Sequence, residues 1–296
     1  MSTLTRDEFL QCLKAVNTWQ RGDTRAPHKP LLMLYALGRF RASGDTRVRF
    51  SEITADVGQL LEEFGPARRK SALYPYYYLA TDGLWDHGIP PDLKPRRGEP
   101  RKRDLLAHDV AGGFTPDVLE LLRRHPDLVD VAARDLVTTH FPATIQDDVL
   151  NAVGISLEGD RRDRRRDPRF REVVLLAYQY RCAACGLDLA LGREPVALEA
   201  AHVKWVQAGG PDVTTNGLAL CVLHHKLFDL GGWRLAPDGR ILVSDRIRGS
   251  GSPAQWLLGI HGAYASEPVH ADQAPASAYL DWHRREVFKG RERPLA

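Results

Sequence analysis

Residues 199–235 read EAAHVKWVQAGGPDVTTNGLALCVLHHKLFDLGGWRL. The alternation in its first residues predicts a strand that ends near His202, Asn216 lies in a loop fourteen positions on, and His225 opens a helix nine later. Two ligand pairs bracket and overlap this stretch. Cys182 and Cys185 form a C-x2-C pair, and Cys221 with His224 forms a C-x2-H pair about thirty-five residues further on. Two-residue spacings let each half turn two ligands toward one tetrahedral ion, so the four side chains are expected to hold a structural Zn2+ that fastens the start of this domain to the helix carrying His225. Four protein ligands leave no open position for water, which argues against a catalytic role for that ion. The alternative is that the cysteines are ordinary core residues.

Working outward, the composition is that of a globular protein: 43% hydrophobic and 27% charged residues, with a net charge of +3. That charge is too small to imply a polyanionic partner by itself. Its distribution is more informative, because RRDRRRDPRFR (161–171) carries seven arginines against two aspartates, and a second basic cluster runs from Lys94 to Asp104. Either is a solvated face or a phosphate contact. No apolar run approaches the roughly 18 residues that cross a bilayer, and the first residues lack an apolar signal core, so a cytoplasmic protein with no membrane partner is expected. Clustered cysteines in a reducing compartment point to metal rather than disulfides, leaving Cys12 as an ordinary thiol.

Length allows two domains. Residues 1–145 open with helical patterns through Phe9, Leu10, Leu13, Val16 and Trp19, and through the apolar run after Pro30. The tyrosine-rich LYPYYYLATDGLWDH (73–87) predicts a strand or hairpin. A charged linker is expected over 146–169 and a second domain over 170–296, closed by a basic amphipathic helix in LDWHRREVFKGRERP (280–294) that packs on that domain.

The stretch around His202, Asn216 and His225, with the interleaved ligand pairs, resembles the HNH endonuclease superfamily and its ββα-metal fold over about 181–243. The resemblance implies that His202 is the general base, that Asn216 fixes the loop and orients the histidine, and that His225 binds a catalytic divalent metal: Mg2+, Mn2+ or a later transition metal. Two histidines and an amide suit phosphodiester hydrolysis, which needs a base near neutral pKa and a Lewis acid. Many HNH proteins carry an acidic or histidine ligand directly before the base, where this chain has Ala201. Asp229, one helical turn beyond His225, is the expected replacement. Glu199 lies on the opposite strand face from His202 and would need a bulge to reach the metal.

The first half resembles the sulfur-binding domain of restriction endonucleases that cut phosphorothioate-modified DNA, through RAPHKPLLMLYALGR (25–39) and YPYYYLATDGLW (74–85). By resemblance, Tyr74 and Pro75 line a shallow apolar pocket for the backbone sulfur, Tyr78 borders it, and His28 and Lys29 flank it. Arg68, Arg69 and Lys70 are phosphate contacts or a solvated helix end. The expectation is therefore an α+β protein, a mostly helical DNA-reading domain followed by a zinc-stabilised ββα-metal domain, acting as a homodimer on phosphorothioate-modified double-stranded DNA. An HNH nuclease with a methylated or unmodified target, and a zinc-stabilised DNA reader without catalysis, are the alternatives.

Overall fold

The computed structural model describes residues 4–16, 27–45, 47–66, 71–95, 97–157 and 168–295. It divides into two compact units, Met1–Gly159 and Asp160–Ala296. Arg68, Arg69 and Lys70, and the arginine-rich run before Pro168, lie outside the described residues. Among the described residues no helix is long and apolar enough to cross a membrane.

The first unit runs α1 (Arg6–Ala15), α2 (His28–Ser43), β1 (Val48–Arg49), α3 (Phe50–Phe64), α4 (Leu73–Tyr78), β2 (Trp85–Asp86), α5 (Lys102–Ala107), β3 (Ala111–Phe114), α6 (Pro116–Arg124), α7 (Asp127–His140) and α8 (Ala143–Ala152). A capping box between Thr5 and Glu8 starts α1. Helix α2 is the centre of the unit: twelve of its sixteen residues are buried, as its all-round apolar sequence requires, and α3, α4 and α7 pack against it. The chain leaving α8 approaches α2 so closely that a Cβ on Gly38 would lie 1.9 Å from the Val153 carbonyl oxygen. Residues 146–152, assigned to the linker from sequence, are thus helical, and Ile145, Val149 and Leu150 form a buried stripe of α8. The short strands make an antiparallel sheet in the order β1-β3-β2.

The tyrosine-rich segment is a helix, α4, followed by a 3-10 turn over Leu79–Asp82, and only Trp85–Asp86 is strand. A strand would put Tyr74, Tyr76 and Tyr78 on one face. The helix instead separates them. Tyr76 is wholly buried, against Phe50 at 4.8 Å and Trp85 at 6.0 Å between ring centroids, whereas Tyr74 and Tyr78 meet on the other face at 4.8 Å, as i and i+4 neighbours do.

The second unit runs α9 (Pro168–Ala177), β4 (Ala190–Leu191), β5 (Glu194–Pro195), β6 (Leu198–His202), β7 (Gly217–Cys221), α10 (Val222–Asp229), β8 (Trp233–Leu235), β9 (Ile241–Val243), α11 (Ser252–Leu258) and α12 (Ser277–Glu286). Strands β6 and β7 pair antiparallel without a bulge from Leu198↔Cys221 to His202↔Gly217, and α10 begins at the next residue. This is a ββα unit. Helix α9 packs on both strands, so tightly that a Cβ at Gly217 would lie 2.4 Å from the Val174 side chain. Gly217 itself is extended, with φ −119°, so close approach of α9, not a turn, requires the glycine there. The C-terminal helix packs on the unit: Trp282 lies 6.0 Å from Trp205, and His283 stacks on Phe228 at 3.7 Å.

Candidate functional site

The knuckle turn of Cys182–Cys185 and the β7–α10 junction bring Cys182, Cys185, Cys221 and His224 together, with one ligand atom from each lying within 4.8 Å of all the others. A tetrahedral zinc with Zn–S bonds of about 2.3 Å needs ligand atoms roughly 3.8 Å apart. His224 Nδ1 is 3.8 Å from Cys182 Sγ and 3.1 Å from Cys221 Sγ, so the donor set fits a structural zinc. The thiols are crowded. Hydrogen bonds from Cys182 and Cys185 hold the Cys221 thiol well below its usual range, and the bond with Cys182 pushes Cys185 up. Trp233 Nε1 donates to the His224 carbonyl oxygen at 3.0 Å, and the Trp256 ring lies 5.1 Å from the imidazole.

His202 ends β6 partly exposed. Its ring stacks on Phe170 of α9 at 4.0 Å, with 13° between planes, and its Nε2 lies 2.7 Å from Asp212 Oδ1. The sequence reading missed both partners, because Asp212 stands in a loop ten residues away and Phe170 on a separate helix. Asn216, wholly buried, closes that loop. Its Oδ1 accepts from the Lys204 amide at 2.8 Å, and its Nδ2 donates to the carbonyl oxygens of Lys204 and Pro211, both at 3.0 Å. Gly210 permits the closure, since a Cβ there would lie 1.8 Å from Lys204 O. Asn216 therefore acts on the backbone beside His202 and beside Asp212, and through them on the ring.

His225, in the first turn of α10, is buried between two carboxylates: Glu199 Oε2 at 2.6 Å from Nδ1 and Asp229 Oδ2 at 3.2 Å from Nε2. Burial works against a charged ring, but Asp229 and Glu199 outweigh it and hold the His225 pKa up to about 9. Asp229 sits where the i+4 spacing puts it. β6 pairs regularly with β7, and Glu199 reaches His225 without a bulge. Helix α10 leaves β7 at Cys221, opposite Leu198, and packs on β6, which brings His225 to the neighbouring Glu199.

In the first unit, His28 meets Tyr74 edge-on at 6.2 Å and Tyr74 meets Tyr78 at 4.8 Å, with Pro75 buried beside them. Lys29, expected with His28 to flank this pocket, is held inside the fold. Its Nζ lies 2.7 Å from Asp82 Oδ2, and both side chains are buried, at 4% and 7% exposure. A lysine so enclosed requires a counter-ion within the fold, and Asp82, at the end of the turn after α4, supplies it. Breaking this pair leaves a buried charge, so Asp82→Ala is expected to lower the stability of the full chain by about 3–5 kcal/mol in urea unfolding, with much of the loss recovered in Lys29→Met/Asp82→Leu.

Residues 6–158 match the family described as ScoMcrA-like, DNA sulfur-binding domain. The chain belongs to this family. Beyond the sulfur-binding domain, residues 182–234 match the HNH endonuclease family, a span that holds the Cys3His cluster together with His202, Asn216, His225 and Asp229. The chain thus joins an HNH endonuclease domain to a sulfur-binding domain. Comparison with curated proteins finds no match. Among solved structures, the chain is similar to the sulfur binding domain of ScoMcrA complexed with phosphorothioated DNA (26% identity, 49% of this chain and 98% of that one, TM-score 0.44). It is similar also to the sulfur binding domain of SprMcrA complexed with phosphorothioated DNA (24% identity, 52% and 96%, TM-score 0.44). A third is the Type IV phosphorothioation-dependent restriction endonuclease ScoMcrA (26% identity, TM-score 0.41), where the match covers 48% of this chain and 32% of that one.

Proposed function

We propose that this protein is a modification-dependent restriction endonuclease that binds phosphorothioate-modified double-stranded DNA through its first unit and hydrolyses backbone phosphodiesters with its second. The observation that carries this reading is the joining, in one chain, of a sulfur-binding family match over 6–158 to an HNH match over 182–234. Replacing a non-bridging phosphate oxygen by sulfur makes that edge larger, softer and more weakly hydrated, so an apolar contact favours it. The faces of Tyr74, Tyr78 and His28, with Pro75, have this character. One such contact discriminates by only about 1–3 kcal/mol, so base contacts add to it.

In the second unit His202 is the base that takes a proton from the attacking water. Asp212 holds the ring by its Nε2, Phe170 limits ring rotation, and Asn216 keeps Asp212 against the histidine. His225 holds the catalytic divalent cation, Mg2+, Mn2+ or a later transition metal, which when bound supplies Lewis-acid stabilisation of charge on the phosphate and the leaving oxygen. Zinc in the Cys3His cluster is structural. A double-strand break needs two such sites, and a homodimer supplies them. Binding to a duplex with one stereodefined phosphorothioate, against its all-oxygen twin, tests the proposal. Preference for the sulfur duplex is the expected result.

A further inference from the structure

Two carboxylates reach His225, from opposite edges of the same ring: Glu199 at Nδ1 and Asp229 at Nε2. One imidazole offers an ion one nitrogen, so only the carboxylate on that nitrogen's side joins it at the same ion. This is why Glu199, His225 and Asp229 do not form a convergent cluster as the Cys3His ligands do among the described residues. The two edges differ in access. The Glu199 side chain is 32% exposed, whereas that of Asp229 is 2% exposed. A catalytic ion must keep positions open for a phosphate oxygen and water, and of the two carboxylates Glu199 is the one that is partly exposed. Asp229, enclosed and one helical turn from His225, has instead the place of the carboxylate that commonly accepts the second ring N–H of a metal-bound histidine, fixing its tautomer and orientation.

We infer that Glu199 and His225 Nδ1 are the protein ligands of the catalytic divalent cation, and that Asp229 is a positioning residue acting through His225 Nε2. This rests on the nuclease reading above and reverses the ligand choice drawn from helical spacing. It also accounts for Ala201. Glu199 and Ala201 lie on the same face of β6, because their positions differ by two, so a carboxylate one step back along that face takes the place of one beside the base.

The inference is tested on the full chain, zinc-loaded at the Cys3His cluster, by cadmium NMR of the wild type, Glu199→Cys and Asp229→Cys. Cadmium resonances move downfield with each sulfur ligand, so a one-sulfur ion is distinguished from one held by three cysteines. Glu199→Cys is expected to shift the added cadmium resonance downfield into the single-thiolate range, and Asp229→Cys is expected to give no such shift. A shift in Asp229→Cys, or none in Glu199→Cys, overturns the assignment. If Asp229→Cys does not fold, Glu199→Cys decides alone. Manganese titration of the wild type, read by electron paramagnetic resonance, separates this failure from a wider one: a wild type that neither binds manganese nor nicks plasmid overturns the nuclease reading itself.

Discussion

His202→Ala removes DNA cleavage, lowering kcat by about 10²–10⁴-fold, the usual contribution of a positioned general base, while the protein stays folded and DNA affinity stays at the wild-type value. The expectation follows from where the side chain sits. His202 ends a strand, partly exposed, and bonds a half-exposed Asp212, while its ring covers the buried Phe170, so truncation is expected to cost only about 0.5–1.5 kcal/mol of stability and to leave the ββα unit folded. Asp212→Asn is expected to act in the same direction but less strongly, lowering kcat by about 10-fold with KM unchanged, because a carboxylate with 45% side-chain exposure interacts through solvent-screened charge. Single-turnover cleavage separates the two substitutions. A His202→Ala protein that still nicks plasmid at the wild-type rate would remove the histidine from the chemistry.

Removal of zinc is the second large effect. The Cys3His cluster ties the knuckle before β4 to the start of α10, and Cys182 and His224 are wholly buried. Structural zinc in small domains contributes about 10–16 kcal/mol of binding free energy, as much as or more than the whole stability of a typical domain, about 5–15 kcal/mol. Cys221→Ser, or treatment with a strong chelator, is therefore expected to abolish the cooperative unfolding of the second unit in calorimetry, with release of one zinc per chain. The transition of the first unit, whose described residues include no such cluster, remains. A zinc-free chain that keeps both transitions would contradict the structural role.

How much of this was legible in the sequence depended on how local the determining contact is. The ligand pairs Cys182–Cys185 and Cys221–His224 are set by two-residue spacings, and Asp229 stands four residues from His225 on one helix; such relations are written in short stretches of chain. The partners that orient His202 are not. Asp212 comes back over the strand end only because Asn216 binds both Lys204 and Pro211, and Phe170 belongs to another helix. The meeting of Glu199 with His225 is non-local for a related reason: strand periodicity gives the face of Glu199, but not that α10 returns over that face. Lys29 and Asp82 are 53 residues apart, and nothing near Lys29 announces that its charge is buried. In the tyrosine run, aromatic β-propensity suggested a strand, and burial of Tyr76 against Phe50 and Trp85 overrode it.

The central claim, that the first unit directs this nuclease to sulfur-modified DNA, is tested most directly by equilibrium binding of the full chain to duplexes that differ in one stereodefined phosphorothioate, in several flanking sequences and across a range of salt. The expected result is tighter binding of one stereoisomer by about 5- to 160-fold, the span of a single apolar contact worth about 1–3 kcal/mol, with a preference that persists as rising salt weakens the phosphate contacts common to both duplexes. Equal affinity for the sulfur and oxygen duplexes in every context would contradict it.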